Sequence, residues 1–161
     1  MHLDIPTTQQ ITMLLEHRHP VSVSVYLPTG RSTQEARTAR TSLSNIRRDV
    51  DEQLEAAGVA GADREWIVGE LDSIVDDDDF WDRQRDTLAV FVSPGLEMTF
   101  RLPNDLEESI HIGNRFHVKP ALRAVTFPHA AFVLALSKGA ARLLEVSNEG
   151  PPVVVDVPDM P

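Results

Sequence analysis

The chain has 161 residues, 42% of them apolar, and a net charge of −10, which is enough apolar mass for a folded core and the wrong sign for a general coat on nucleic acid. It has no cysteine, so disulfides, thiol catalysis and thiolate metal sites are excluded, and a reducing cytoplasm is the expected setting. The longest fully apolar run, Ala130–Leu136, is too short to cross a bilayer, and the start, Met1–Pro6, lacks the basic and apolar stretches of a secretion signal.

Thr7 or Thr8 caps a first helix over about residues 8–17, with Ile11, Leu14 and Leu15 at helical spacing, and Pro20 ends it. Val21–Leu27 then alternates apolar and polar residues, Tyr26 being amphipathic, which is the pattern of a strand, and Pro28-Thr29-Gly30 closes it as a turn. Ser32-x-x-Glu35 is a capping box opening a long helix whose core face is Ala36, Ala39, Leu43, Ile46, Val50 and Leu54. Gly58 stands where a helix-ending glycine belongs, and Gly58-x-x-Gly61 reads as a helix-to-helix linker. A second helix over about residues 63–76 presents Trp66, Ile67, Leu71, Ile74 and Val75.

After Asp76–Asp79 the chain turns to strands. Phe80-Trp81 opens this region as a core anchor, and Thr87–Ser93 and Leu96–Leu102 form a hairpin about Pro94-Gly95. A shorter strand, Ser109–Ile112, leads through Gly113-Asn114 to a short helix near Pro120–Val125. Three further strands, Ala131–Ser137, Ala141–Val146 and Val153–Val157, are joined at Lys138-Gly139 and Asn148–Pro151. The expected class is α/β (α+β): a mixed β-sheet with helices packed on its face, followed by a C-terminal three-stranded antiparallel segment.

Charge is distributed unevenly. Residues 29–48 carry a net +4 and residues 49–86 a net −11. Arg37, Arg40, Arg47 and Arg48 fall within one arc of about 100° on the long helix, and Arg31 lies just ahead of it. Cations near a helix N-terminus oppose the macrodipole, so Arg37 and Arg40 do not serve the helix itself. An RNA-phosphate contact is one reading, and a solvated face with Arg47–Asp51 and Arg48–Glu52 pairs is the other. Arg115, His117 and Lys119, with His111, make a second small basic cluster. Asp76–Asp79 lacks the alternation and turn glycine of a calcium loop and reads as an exposed acidic linker. His17-x-His19 has no third ligand nearby in sequence, so no metal or other cofactor is expected. Ser93-Pro94-Gly95 is not a nucleophile elbow, and no Gly-rich phosphate loop occurs, so no catalytic residue is assigned and no enzyme is expected.

Five stretches taken in order resemble the bacterial archaeo-eukaryotic release factor family, in the branch called family 3. They are Val21–Arg31, Phe80-Trp81 with Gln84, Leu88–Gly95, Gly113–Pro120 and Phe132–Ser137. A common form of the first ends Thr-His-Arg, and this chain has Gly30 at the histidine's place, so no role for that side chain carries over. The resemblance implies an N-terminal α/β domain over 1–127 and the first strands of a truncated RNase-H-like middle domain over 128–161. In release factors that middle domain bears a Gly-Gly-Gln loop, which this chain does not contain. It implies a ribosome-associated, non-catalytic role in translation or ribosome rescue, with the ribosome or RNA as partner and no membrane. The RNA-facing candidates are then Arg31, Arg37, Arg40, Arg47, Arg48, Arg115, His117 and Lys119. The alternative is a protein-interaction or regulatory module without nucleic-acid binding. Three bare strands leave an open edge and an apolar face, relieved either by folding back on the N-terminal domain or by a homodimer through the C-terminal strands, of which the homodimer is favoured.

Overall fold

In the computed structural model, residues 6–30, 32–126, 130–137, 140–147 and 152–155 are described. They form α1 (Thr8–Glu16), β1 (Ser22–Pro28), α2 (Thr33–Ala56), α3 (Gly61–Asp76), α4 (Asp78–Trp81), β2 (Thr87–Ser93), β3 (Leu96–Leu102), β4 (Ser109–Gly113), α5 (Lys119–Thr126), β5 (Ala130–Ser137), β6 (Ala140–Ser147) and β7 (Val153–Val155). The chain divides into two compact units, with Asp4–Val125 in one and β5–β7 in the other. No helix among the described residues is long and apolar enough to cross a membrane.

The first unit is built on a four-stranded sheet in the order β3-β2-β1-β4, and every pairing in it is antiparallel. The direction follows from the connection. Two long helices lie between β1 and β2, and they run antiparallel to each other, so the chain re-enters the sheet at the end it left and comes back reversed. The ion pairs fix that antiparallel order: Arg40 near the start of α2 reaches Asp78 just past α3, whereas Asp51 farther along α2 reaches Arg64 near the start of α3.

The termini of α2 are written in local sequence. Ser32 Oγ accepts from Glu35 N at 3.2 Å while Glu35 Oε2 accepts from Ser32 N at 3.0 Å, completing the capping box. At the other end Gly58 takes φ +69, Val59 N donates to Leu54 O and Gly58 N to Glu55 O, the pairing of a Schellman close.

Strand β1 has both faces covered. Val23, Val25 and Leu27 join Leu43, Val50, Ile67, Leu71, Trp81, Leu88 and Val90 in a core under α2 and α3. On the opposite face Tyr26 joins Ile11, Leu14, Phe91, Phe100, Phe116 and Ala121 under α1 and α5. Ser22 and Ser24, which the alternation places on this second face, are buried as well. Leu15, at helical spacing with Ile11 and Leu14, is exposed. Phe80 and Trp81 do not open a strand: Asp77 Oδ1 accepts from Phe80 N at 3.0 Å and caps α4 instead. Trp81 is 6% exposed, sits in the core beside β2, and donates from Nε1 to Ile74 O at 2.9 Å.

The second unit is the antiparallel sheet β5-β6-β7, with Phe132 opposite Glu145, Leu134 opposite Leu143 and Leu143 opposite Val155. Strand β5 stays open to solvent, Phe132 being 64% exposed and Leu136 73%, while Leu143, Leu144, Val146 and Val155 are half-buried. Asp156 and Val157, expected to extend β7, and the two connections at Lys138-Gly139 and Asn148–Pro151 lie outside the described residues.

Candidate nucleic-acid interface

The arginines of α2 do not act as one face. Arg40 Nε donates to Val75 O at 2.6 Å and its Nη1 meets Asp78 Oδ1 at 2.6 Å, so the side chain bridges α2 to the α3–α4 junction. Arg47 Nη2 donates to Asp72 Oδ2 at 2.9 Å and its Nε lies 2.8 Å from Asp72 Oδ1 as an ion pair, with Asp51 4.0 Å away. These two residues brace the helix pair. Arg37 and Arg48 are exposed, and among the described residues neither makes an ion pair, so the expected Arg48–Glu52 pair does not form. Eleven residues separate them on one face of the helix, roughly 16 Å along its axis. Arg31 lies outside the described residues.

The second cluster sits on the opposite side of the sheet. Residues Ser24 and Tyr26 of β1, which face α1 and α5, hold the segment after β4 by its backbone: His117 N donates to Ser24 Oγ at 2.9 Å and Tyr26 OH donates to His117 O at 2.6 Å. Burial pushes the Tyr26 hydroxyl's pKa well above its usual value, which keeps it a donor. His111, opposite Ser24 in the β1–β4 register, stacks on His117 with ring centroids 4.0 Å apart. Burial lowers the His117 pKa from its ordinary 6.5, and repulsion from His111 and Lys119 lowers it further. Arg115 and Lys119 are exposed, and among the described residues they form no ion pair. Lys119 and Arg123 also line a cleft of about 400 Å³ with Tyr26, Leu106, Glu107 and Glu108.

Three other motifs resolve into structural work. His17 Nε2 lies 2.8 Å from Ser93 Oγ, and Ser93 Oγ lies 2.8 Å from Val21 O, a carbonyl that can only accept. Ser93 spends its one proton on Val21, so His17 donates to Ser93, the reverse of what a nucleophile–base pair requires. Phe116 stacks on the His17 ring at 4.9 Å, and burial lowers the His17 pKa. The Asp76–Asp79 run is exposed, with Asp77 capping α4 and Asp78 holding Arg40. Gly30 takes φ +64, and a Cβ there would stand 2.5–2.7 Å from the Glu35 side chain. A histidine at this place would therefore collide with the residue that closes the α2 capping box.

The sequence groups Arg115, His117 and Lys119 with His111 as one basic cluster, but the stacking of the two imidazoles is visible only in the fold. The polar positions in β1 were the available signal: a buried serine and tyrosine on one face need partners, and the segment following β4 supplies them.

A search of the curated proteins gives no match. A solved structure described as "Archaeal protein" superposes on 92% of this chain with a TM-score of 0.52 and 14% sequence identity, which shows a shared fold. The chain spans 42% of that structure's length. Residues 128–161 match the family model described as bacterial archaeo-eukaryotic release factor family 11, and this segment contains the Phe132–Ser137 block that resembles release factors, although those blocks read as family 3. That match covers 34 of the 161 residues, so the similarity to release factor family 11 is confined to residues 128–161.

Proposed function

We propose that the chain is a non-catalytic, ribosome-associated part of a release-factor-like protein, working in the cytoplasm in translation or ribosome rescue. The observation that carries this reading is the release-factor match over residues 128–161. On the same reading, the first unit corresponds to an N-terminal domain and β5–β7 to the opening strands of a middle domain. Contacts to RNA phosphate are assigned chiefly to Arg115 and Lys119, cations not paired with carboxylates among the described residues, with the neutral His117 ring between them in sequence. Arg37 and Arg48 make a lesser, separate contribution, and Arg40 and Arg47 hold α2 to α3 and α4. The purified chain should pellet with ribosomes at low salt and leave them as salt rises, because phosphate contacts release counterions. A chain that stays in the supernatant at every salt concentration would sink this reading.

The exposed apolar side chains of the second unit favour an additional protein contact. Strand β5 is an edge, and Ala130–Ser137 contains neither charge nor proline to guard it. We propose that a second copy pairs there, giving a homodimer. Sedimentation should show a dimer that Leu134→Asp converts to monomer. A wild-type chain that stays monomeric at high concentration would contradict it.

A further inference from the structure

The four histidines of the first unit divide into two pairs with different surroundings. His17 is tied to Ser93 and covered by Phe116, and His19 Nδ1 lies 3.0 Å from the Val21 carbonyl oxygen. His111 and His117 instead face each other, their planes 24° apart. This second stack has an inner and an outer end. The inner ring, His117, is half-buried, with Tyr26 set edgewise against it at 6.3 Å and with its backbone bonded to both Ser24 and Tyr26. The outer ring, His111, is exposed on the edge strand of the sheet, and among the described residues it makes no side-chain hydrogen bond or ion pair.

An aromatic ring held rigid from beneath and open above is a stacking surface, because little side-chain freedom remains to be lost when another ring lies on it. Unpaired bases stack on such rings whatever their sequence, and imidazole is among the rings that serve. Burial disfavours a charge on the inner ring, so near neutral pH the pair is not two cations in contact. Exposed Arg115 and Lys119 stand two residues to either side of His117 in sequence. A partner's aromatic side chain would need no such cations, whereas the phosphates flanking a base would.

We infer that the His111–His117 stack is a platform for one unpaired base of single-stranded RNA, with Arg115 and Lys119 meeting the phosphates beside it. This rests on the reading that this corner meets RNA, and it adds the class of ligand: a splayed nucleotide rather than duplex backbone. Stacking contributes through the base and the cations through the phosphates, so the two can be separated.

The test compares binding of an oligoadenylate and of an oligomer of the same length and backbone without bases. The wild-type chain should bind the base-bearing oligomer more tightly, on the order of five- to a hundred-fold for one stacked base. His111→Ala should erase that preference and leave binding of the base-free oligomer unchanged, while His111→Phe keeps it. The ring protons of His117 should shift on adding oligoadenylate to the wild type and not to His111→Ala. Equal binding of both oligomers by the wild type, or a preference that survives His111→Ala, overturns the platform. Ribosome pelleting of the same proteins keeps the two readings apart. Pelleting without a base preference defeats the platform alone, and a base preference without pelleting upholds the platform and defeats the ribosomal role.

Discussion

The two sheets of this molecule are built from similar strands and differ in what covers them. In the four-stranded sheet, β2 is buried along all of Thr87–Ser93, because α2 and α3 close one face and α1 and α5 the other. In the three-stranded sheet, β5 is as apolar in sequence, yet Phe132, Val133, Leu134 and Leu136 all remain exposed. Apolar sequence therefore specifies a strand in both places, and layers of helix decide which sheet becomes a core. The lesson extends to the cations. Where α3 and α4 bring carboxylates against α2, Arg40 and Arg47 become fasteners; where β4 leads into α5, Arg115 and Lys119 stay exposed and without an ion pair among the described residues.

The largest predicted effect falls on the covered sheet. Trp81→Ala removes a buried indole and its bond to Ile74 O, and should cost about 3–5 kcal/mol in a denaturant titration. Phe132→Ala in the open sheet should cost far less, and equal losses would break the comparison. Next, Tyr26→Phe strips the hydroxyl that His117 O accepts, and should cost about 1–2 kcal/mol. Its accompanying sign is a loosened His111–His117 stack, readable from the ring proton shifts. Arg47→Met should cost about 0.2–1 kcal/mol, because the Asp72 ion pair is partly open to water and screened. Made in an Asp72→Asn background, Arg47→Met should cost nothing further if the pair is the source of the loss.

The smallest effect is in pH. His17 and His117 both bind protons more weakly folded than at the ordinary value of 6.5. The unfolded chain therefore takes up more protons below 6.5, so their contribution is complete above that pH and is lost as pH falls through the lowered folded-state values. Thermal melts between neutral pH and pH 5 should show this decline, and it should shrink in His117→Gln.

Much of the fold is legible in the sequence because its signals are local. The Ser32–Glu35 capping box, Gly58 and the Pro94-Gly95 hairpin each set one boundary through contacts a few residues apart. The α+β class with its three-stranded C-terminal sheet follows from the same periodicities. Phe80-Trp81 reads as the start of a strand because Asp77 stands within a charged run, whereas in the fold the Asp77 side chain caps a helical turn. The sites were harder to read. An arc of four arginines looks uniform on a helical projection, and only the packing of α3 and α4 separates Arg40 and Arg47 from Arg37 and Arg48. His111 and His117 are six residues apart across a turn, and their stacking depends on Ser24 and Tyr26, about 90 residues away in sequence.

The most direct test of the functional account is the salt dependence of ribosome binding in two charge-reversed variants, Arg115→Glu/Lys119→Glu and Arg37→Glu/Arg48→Glu. Each phosphate contact to single-stranded RNA contributes about 0.7 to the slope of log affinity against log salt, so losing two contacts should flatten it by about 1.4. The account predicts that flattening for the Arg115/Lys119 variant and a smaller change for the Arg37/Arg48 variant. An unchanged slope in the Arg115/Lys119 variant, with the full loss in the other, would contradict it and return the phosphate contact to α2.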